Sequence, residues 1–377
     1  MNFKMTNPET KEEISFTQPA FLVGNGISYA NQYSTLPWSK LSLLLLPEKI
    51  QNEIRNNQAL TPDKKEILER IFDQNTKLLT NEENKTLSEL IEGICFTETI
   101  ALATLYQNEG KTQSPNTCIA PDCLKMKAAR IIDRMEFTKG YFDKYEKLVK
   151  KAHEKQIPIL TTNFDRNLIR VPPFSDTETH RADTPLRFIG NKNKKLLFNA
   201  YFSDHELKTT DNICTKFAIW HIHGLTDAVG VEIPLARTLC LRPEDYQERM
   251  KELGEIVEEN EATKWKNNHT WVNIFMNNDL IIFGLNLDSV EQDLRQLLVQ
   301  RYFYQKLLWE EANKNNNFDF RKKETVFIYR EDAEKDKNGQ NKELPIGKKA
   351  FFESLDIKCV PMKTSEIYGF DWFKGNN

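Results

Sequence analysis

No stretch of this 377-residue sequence is apolar for long enough to cross a bilayer. The strongest run, Leu41 to Leu46, is interrupted by Ser42 and stopped by Pro47. The opening residues, MNFKMTNPETKEE, lack the apolar segment of a secretory signal. Neither sign of charge is in excess: 52 Lys and Arg against 55 Asp and Glu leave −3, which gives no global pull toward nucleic acid or anionic lipid. CxxC pairs are also missing. The six cysteines (Cys95, Cys118, Cys123, Cys214, Cys240, Cys359) are scattered, as free thiols in a reducing compartment are. These absences predict a cytoplasmic protein with no membrane span, no direct nucleic-acid binding and no bound metal. Internal repeats and low-complexity segments are absent as well. What remains, 39% hydrophobic and 28% charged residues, suits a folded globular chain of one large domain or two ordinary ones.

Short apolar runs recur at wide intervals: Ala20 to Val23, Ile157 to Thr161, Phe217 to Ile222, Leu280 to Phe283, Thr325 to Tyr329 and Ile357 to Val360. Each is rich in Ile, Val, Phe or Leu, as parallel strands covered on both faces are. Helical periodicity lies between them. Phe142, Tyr145, Val149 and Ala152 share one helix face, and Leu287 to Leu308 reads as a long helix. The alternation predicts an α/β fold with a Rossmann-like, doubly wound, mainly parallel sheet. The first gap is too long for one crossover helix. Thr61-Pro62 opens a helix with the stripe Ile67, Leu68, Ile71 and Phe72, and Thr86 with Glu89 fits a capping box. Residues 36 to 135 are therefore expected to be a large helical insertion, and residues 309 to 377 a strand-helix-strand completing the sheet of a single domain. Loops are expected over Gln107 to Pro121, Val171 to Thr184 and Asp332 to Pro345.

Four polar motifs follow apolar strands. Gly24-Asn25-Gly26-Ile27-Ser28 comes first; glycines let a backbone turn sharply and expose N–H groups to a phosphate, with the next segment adding the positive end of a dipole. The third glycine of the ordinary dinucleotide fingerprint is missing, and plain turn chemistry accounts for the pattern equally well. Thr161-Thr162-Asn163-Phe164-Asp165 ends the second strand, where ligands of open α/β sheets bind. Asn163 can serve a ribose or a water, or it and Asp165 can simply cap a turn. Trp220-His221-Ile222-His223-Gly224 puts two imidazoles two residues apart, able to converge on one site, with His223 last on its strand. His221, like His153, His180, His205 and His269, reads as a structural histidine; a metal site on the HxH pair is the rival reading. Gly284-Leu285-Asn286-Leu287-Asp288 closes a fourth strand. Asn286 or Asp288 would bond ribose hydroxyls, unless Asp288 only marks a helix start.

In their order these motifs resemble the sirtuin superfamily: a GAG-type phosphate turn, then TQNxD, then a His-Gly, then a Gly-Ser-type strand end near adenosine. The phrase from Gly24 through Pro37-Trp38 to Leu41, with GLNLDSVEQDLRQLLVQR, is similar to sirtuin-like NAD-consuming domains of bacterial antiviral systems. The likeness covers roughly residues 18 to 308. The two CxxC pairs of the deacylating branch are absent, which turns the expectation away from protein deacylation.

The resemblance implies an NAD hydrolase that cleaves the nicotinamide–ribose bond to give nicotinamide and ADP-ribose. It implies Asn163 and His223 as the catalytic pair, the asparagine orienting ribose or water and the histidine acting as general base. Gly24, Asn25, Gly26 and Ser28 would hold the pyrophosphate. Thr162, Asp165, Gly284, Asn286 and Asp288 would contact the rest of NAD. It further implies NAD depletion in anti-phage defence, a homo-oligomer, and an activating partner of ATPase or Argonaute type. A non-catalytic NAD or ADP-ribose sensor and a zinc-free deacylase are the alternatives.

Overall fold

A computed structural model describes residues 3–30, 33–34, 38–72, 79–80, 83, 86–87, 99, 120–133, 142–174, 187–189, 198–201, 212–226, 239–241, 243–261, 270–287, 291–314, 321–331 and 344–375. The strands are β1 (Phe3–Thr6), β2 (Glu13–Phe16), β3 (Pro19–Val23), β4 (Tyr33–Ser34), β5 (Leu79–Thr80), β6 (Ile159–Thr161), β7 (Arg187–Ile189), β8 (Phe198–Tyr201), β9 (Ile219–His221), β10 (Asp279–Phe283), β11 (Thr325–Arg330), β12 (Ile357–Met362) and β13 (Lys374–Gly375). The helices are α1 (Trp38–Leu45), α2 (Glu48–Arg55), α3 (Pro62–Phe72), α4 (Ala120–Asp133), α5 (Asp143–Glu154), α6 (Pro243–Glu261), α7 (Trp271–Asn277), α8 (Gln292–Lys314), α9 (Ile346–Ser354) and α10 (Thr364–Ile367).

Eight strands form the main sheet in the order β12-β11-β10-β3-β6-β9-β8-β7. The first six run parallel, and every one of the six apolar runs read from sequence lies among them. Strands β8 and β7 add an antiparallel edge that the sequence did not announce. Side-chain alternation splits the core in two. Phe21, Val23, Ile281 and Phe283 face one cluster with Tyr145, Leu148 and Tyr368. Ala20, Leu22, Leu280 and Ile282 face the other, with Trp271, Phe275, Leu294 and Leu298. Both faces of the sheet are thus dry, which is what makes its strands continuous apolar runs.

Local chemistry sets the element ends. Helix α5 buries Tyr145, Leu148, Val149 and Ala152. It stops where Gln156 turns left-handed at φ 55, with Gln156 N–H on the His153 carbonyl and Ile157 N–H on the Ala152 carbonyl. This is a Schellman closure, and it aims the chain straight into β6. Helix α3 starts at Pro62, as the Thr61-Pro62 signal predicts, and buries Leu68, Ile71 and Phe72. The long helix begins later than expected. Leu287 sits at φ 51, outside helical geometry, and α8 starts only at Gln292.

Between β3 and β6 the described residues contain β4, β5 and the helices α1 to α5. Leu41, Leu45, Leu124 and Ala128 of α1 and α4 pack with Phe164, Leu239 and Leu241. The Thr86–Glu89 capping box and the Gln107 to Pro121 loop lie largely outside the described residues, although α4 already begins at Ala120 within that expected loop. Most of the Asp332 to Pro345 and Val171 to Thr184 loops lies outside them too. A three-stranded sheet, β13-β1-β2, joins the two ends of the described chain; Phe3 pairs with Gly375 and stacks on Phe373 at 5.0 Å. Among the described residues no helix is long and apolar enough to cross a membrane.

Candidate functional site

Four adjacent strands end in register. Phe283 of β10 pairs with Val23 of β3, Val23 with Thr161 of β6, and Thr161 with His221 of β9. Each of the four motifs begins at or just after this row. Residues spread from Gly24 to Gly284 are thereby gathered on one carboxyl edge, where strand spacing is only ~4.8 Å.

The glycine turn is packed more tightly than a phosphate cradle requires. Gly24 N–H donates to the Phe283 carbonyl at 3.2 Å and Gly26 N–H to the Gly284 carbonyl at 2.8 Å. These two donors are spent on the β10 loop, so the expectation that they face a phosphate is not met. The glycines serve close approach. A Cβ on Gly24 would stand 2.4 Å from the Gly284 oxygen, and one on Gly26 would stand 2.5 Å from Gly284 Cα. Gly284 itself turns at φ 67. Asn25 and Ser28 fall in the short 3₁₀ turn Asn25–Ala30, with Asn25 half-buried. Asn286 is exposed, and Lys348 Nζ donates both to its main-chain carbonyl and, at 3.1 Å, to its Oδ1. Asp288 lies outside the described residues.

The β6 end is different. Thr162 N–H donates to the Val23 carbonyl, tying this loop to the glycine turn. Asn163 N–H bonds Thr161 Oγ1 at 3.1 Å and its carbonyl faces His221, so its backbone is fixed. Asn163 is only 2% exposed, yet neither Oδ1 nor Nδ2 of its carboxamide has a hydrogen-bond partner. Asp165 accepts from the Asn167 N–H at 2.9 Å, the turn-capping role open to it from sequence.

The two histidines of HIHG do not converge. Strand β9 stops at His221, and His223 lies beyond it in a turn closed by Gly224 at φ 94. The period-two argument therefore fails at the residue where it was needed. His221 Nδ1 donates to the Asn163 carbonyl at 3.0 Å, and burial pushes its pKa down to about 4 against the opposing effect of that bond. It is a neutral clamp on the asparagine loop. His223 Nε2 instead meets Asp293 Oδ2 of α8 at 3.0 Å. Arg249 Nε of α6 stands 3.0 Å from the same oxygen as an ion pair, without hydrogen-bond alignment. Burial alone would raise the Asp293 pKa; His223 and Arg249 outweigh it and bring it down to about 2. The Tyr246 ring meets the His223 ring edge-on at 5.5 Å. Among the described residues no group of three His, Cys, Asp or Glu is placed to hold a metal ion.

The chain matches no family model and no curated protein. Its function is therefore argued from the site.

Sequence reasoning missed Asp293, Arg249 and Tyr368. Asp293 carries the ordinary look of an acid in a helix first turn. Arg249 is one of several charges along α6. Tyr368 arrives from the far end of the chain, fully buried, and its unpartnered hydroxyl lies 2.9 Å from where a Cβ on Gly26 would be. Burial drives its pKa well above the ordinary phenol value. On the opposite edge, a shallow cleft at the amino ends of β11 and β12 is lined by Arg301, Lys323 and Asp356 among others. Arg301 spends its guanidinium on Thr325 Oγ1 and on four main-chain carbonyls, so this cleft reads as structural.

Proposed function

We propose that this carboxyl edge hydrolyses the nicotinamide–ribose bond of NAD. The observation that carries the reading is the Asn163 carboxamide, buried with both polar atoms unpartnered among the gathered motifs. An orphaned buried amide costs about 1–3 kcal/mol, and a ligand or an attacking water that uses it explains why it is tolerated. The sirtuin-like order of the motifs supplies the substrate.

In this mechanism Asn163 orients the nicotinamide ribose and the water beneath it. Cleavage breaks the bond from ribose C1′ to the ring nitrogen, and the electron pair leaves with neutral nicotinamide. Water adds at C1′, and its proton passes through His223 to solvent, leaving ADP-ribose. The pyrophosphate meets the turn through groups other than the Gly24 and Gly26 amides, with Asn25 and Ser28 as the remaining candidates. Thr162, Asp165, Gly284 and Asn286 are the candidates to contact the rest of the dinucleotide, and the resemblance adds Asp288. Helices α1 and α4, which pack with Phe164 beside Asn163, serve as a cover for this end of the sheet. The same resemblance points to NAD depletion in phage-infected cells, by an oligomer under the control of a partner protein.

The test is chromatographic detection of nicotinamide and ADP-ribose from NAD with the wild-type protein, Asn163→Ala and His223→Ala. Turnover lost in both folded variants supports the reading. Binding without turnover points to a sensor or to an enzyme awaiting its activator, and release that depends on an acyl-lysine peptide points to a deacylase. Neither binding nor turnover overturns it.

A further inference from the structure

We propose that Asp293, held by Arg249, is a positioning residue that fixes the His223 tautomer and leaves Nδ1 as the proton acceptor of the NAD-cleaving site. This rests on the reaction proposed above. An ionised carboxylate only accepts hydrogen bonds, so the 3.0 Å contact to Asp293 Oδ2 requires the proton on His223 Nε2. In the neutral ring the lone pair then sits on Nδ1, the only atom of the side chain able to take a proton from water.

The surroundings make this arrangement specific. Asp293 is completely buried and Arg249 is 4% exposed. The carboxylate and guanidinium balance each other, so the pair can orient a neutral imidazole without demanding that it carry charge. Arg249 is held in turn by the Trp271 ring, 5.2 Å from its guanidinium carbon, and by Cys240 Sγ, to which its Nη1 donates at 3.5 Å. Phe164 and Tyr246 flank the His223 ring at 6.5 and 5.5 Å, and the His223 carbonyl takes the Cys240 N–H at 2.9 Å. Asp293, Phe164, Tyr246 and Cys240 thus hold the histidine from four separate segments of the chain.

A simple stabilising ion pair does not account for the cluster. Asp293 Oδ1 and Arg249 Nη2 are buried without partners. Half-satisfied buried charges are poor sources of stability, and apolar replacements often do better. The group retains that cost while holding one imidazole in one orientation. Among the described residues, the charged and titratable groups around His223 are Asp293 from α8, Arg249 and Tyr246 from α6, and Cys240, with Asp245, its partner Lys125 and Glu291 bordering them.

The experiment combines two measurements. Nitrogen-15 NMR of imidazole-labelled protein, with His223→Gln to assign the resonance, reads the tautomer without any substrate. Nicotinamide release by wild type and Asp293→Asn, across pH, reads kcat and KM separately. The expected spectrum has a protonated Nε2 and a bare Nδ1 in wild type, replaced in Asp293→Asn by the other tautomer or a mixture. The expected kinetics are a kcat loss of roughly 10²–10⁴-fold with KM for NAD nearly unchanged, and an altered pH profile. A purely structural role would lower the folded fraction without separating kcat from KM. A wild-type Nδ1–H tautomer, or full kcat in Asp293→Asn, overturns the proposal, the first even where the variant does not fold. Absence of both NAD binding and turnover in wild type sinks the hydrolase reading instead, and the spectrum then decides the positioning of His223 by itself.

Discussion

Replacing Asn163 by alanine is expected to remove function and raise stability together. Asn163 is 2% exposed and its carboxamide is unpartnered at both Oδ1 and Nδ2, so deleting it relieves about 1–3 kcal/mol of unrecovered desolvation. Against this stands the hole it leaves. A void the size of one water, ~30 Å³, costs about 0.7 kcal/mol at ~24 cal/mol per Å³. The backbone contacts survive, because the Asn163 N–H to Thr161 Oγ1 and the carbonyl to His221 do not use the side chain. The net is a gain of roughly 0.5–2 kcal/mol. At about 2.1 cal/mol/K per residue, the entropy of unfolding 377 residues is ~0.8 kcal/mol/K, so Tm rises by about 1–3 °C. Calorimetry and denaturant titration measure this; nicotinamide release measures the other half, an expected loss of at least ~10²-fold. A variant destabilised by more than ~1 kcal/mol would refute the reasoning, because the amide would then be spent inside the fold and unavailable to a substrate.

Gly24→Ala should destabilise by about 3 kcal/mol or more, since its Cβ would strike the Gly284 carbonyl and the Leu285 side chain; Gly254→Ala, with open space around it in α6, should instead gain up to ~1 kcal/mol, and paired denaturant melts compare them. Tyr368→Phe removes a buried hydroxyl without a partner, so the denaturation midpoint should rise, by about 1 kcal/mol in free energy, and a fall would show that the hydroxyl is bonded in the native state. Stability should decline with acid in two steps. The His221 pKa is lowered to about 4, so the unfolded chain binds the proton first; this contribution is full above ~6.5 and lost as pH falls toward ~4, about 3 kcal/mol in all. Asp293, lowered to about 2, adds a second loss between ~4 and ~2. His221→Gln should flatten the upper step alone in a series of melts against pH.

The parallel half of the sheet was legible because burial on both faces leaves an unmistakable trace: Leu280, Ile281, Ile282 and Phe283 are all fully covered. Strands β7 and β8 were not, since three or four residues beside the lysine-rich stretch Asn191 to Lys195 carry no such trace. Strand β1 alternates buried Phe3 and Met5 with Lys4 and Thr6, but it is short and its partner β13 lies at the other end of the chain. The positions of the four motifs at strand ends followed from the fold class. What Gly24 and Gly26 do with their N–H groups did not, because the acceptors, Phe283 and Gly284, belong to a strand made far later. Asp293 was hidden for the same reason. It meets His223 across 70 positions, and nothing local distinguishes it from the other acids of GLNLDSVEQDL.

The strand order has a consequence for how the molecule is made. β3, the earliest strand of the main sheet, lies in its interior between β10 and β6. Its amino end is joined to the β10 region by bonds that span 259 and 262 positions, from Asn278 to Pro19 and from Thr17 to Asp279. At ~5–20 residues per second on the ribosome, β3 waits roughly 15–50 s for that neighbour. Once made, β6 and α5 take one edge and one face of β3, but the edge of Phe21, Leu22 and Val23 that β10 will fill stays open, a template for pairing with another chain. Slower translation between residues 23 and 283 is therefore expected to lower folding yield more than slower translation after residue 283, as pulse-labelled soluble fractions would show.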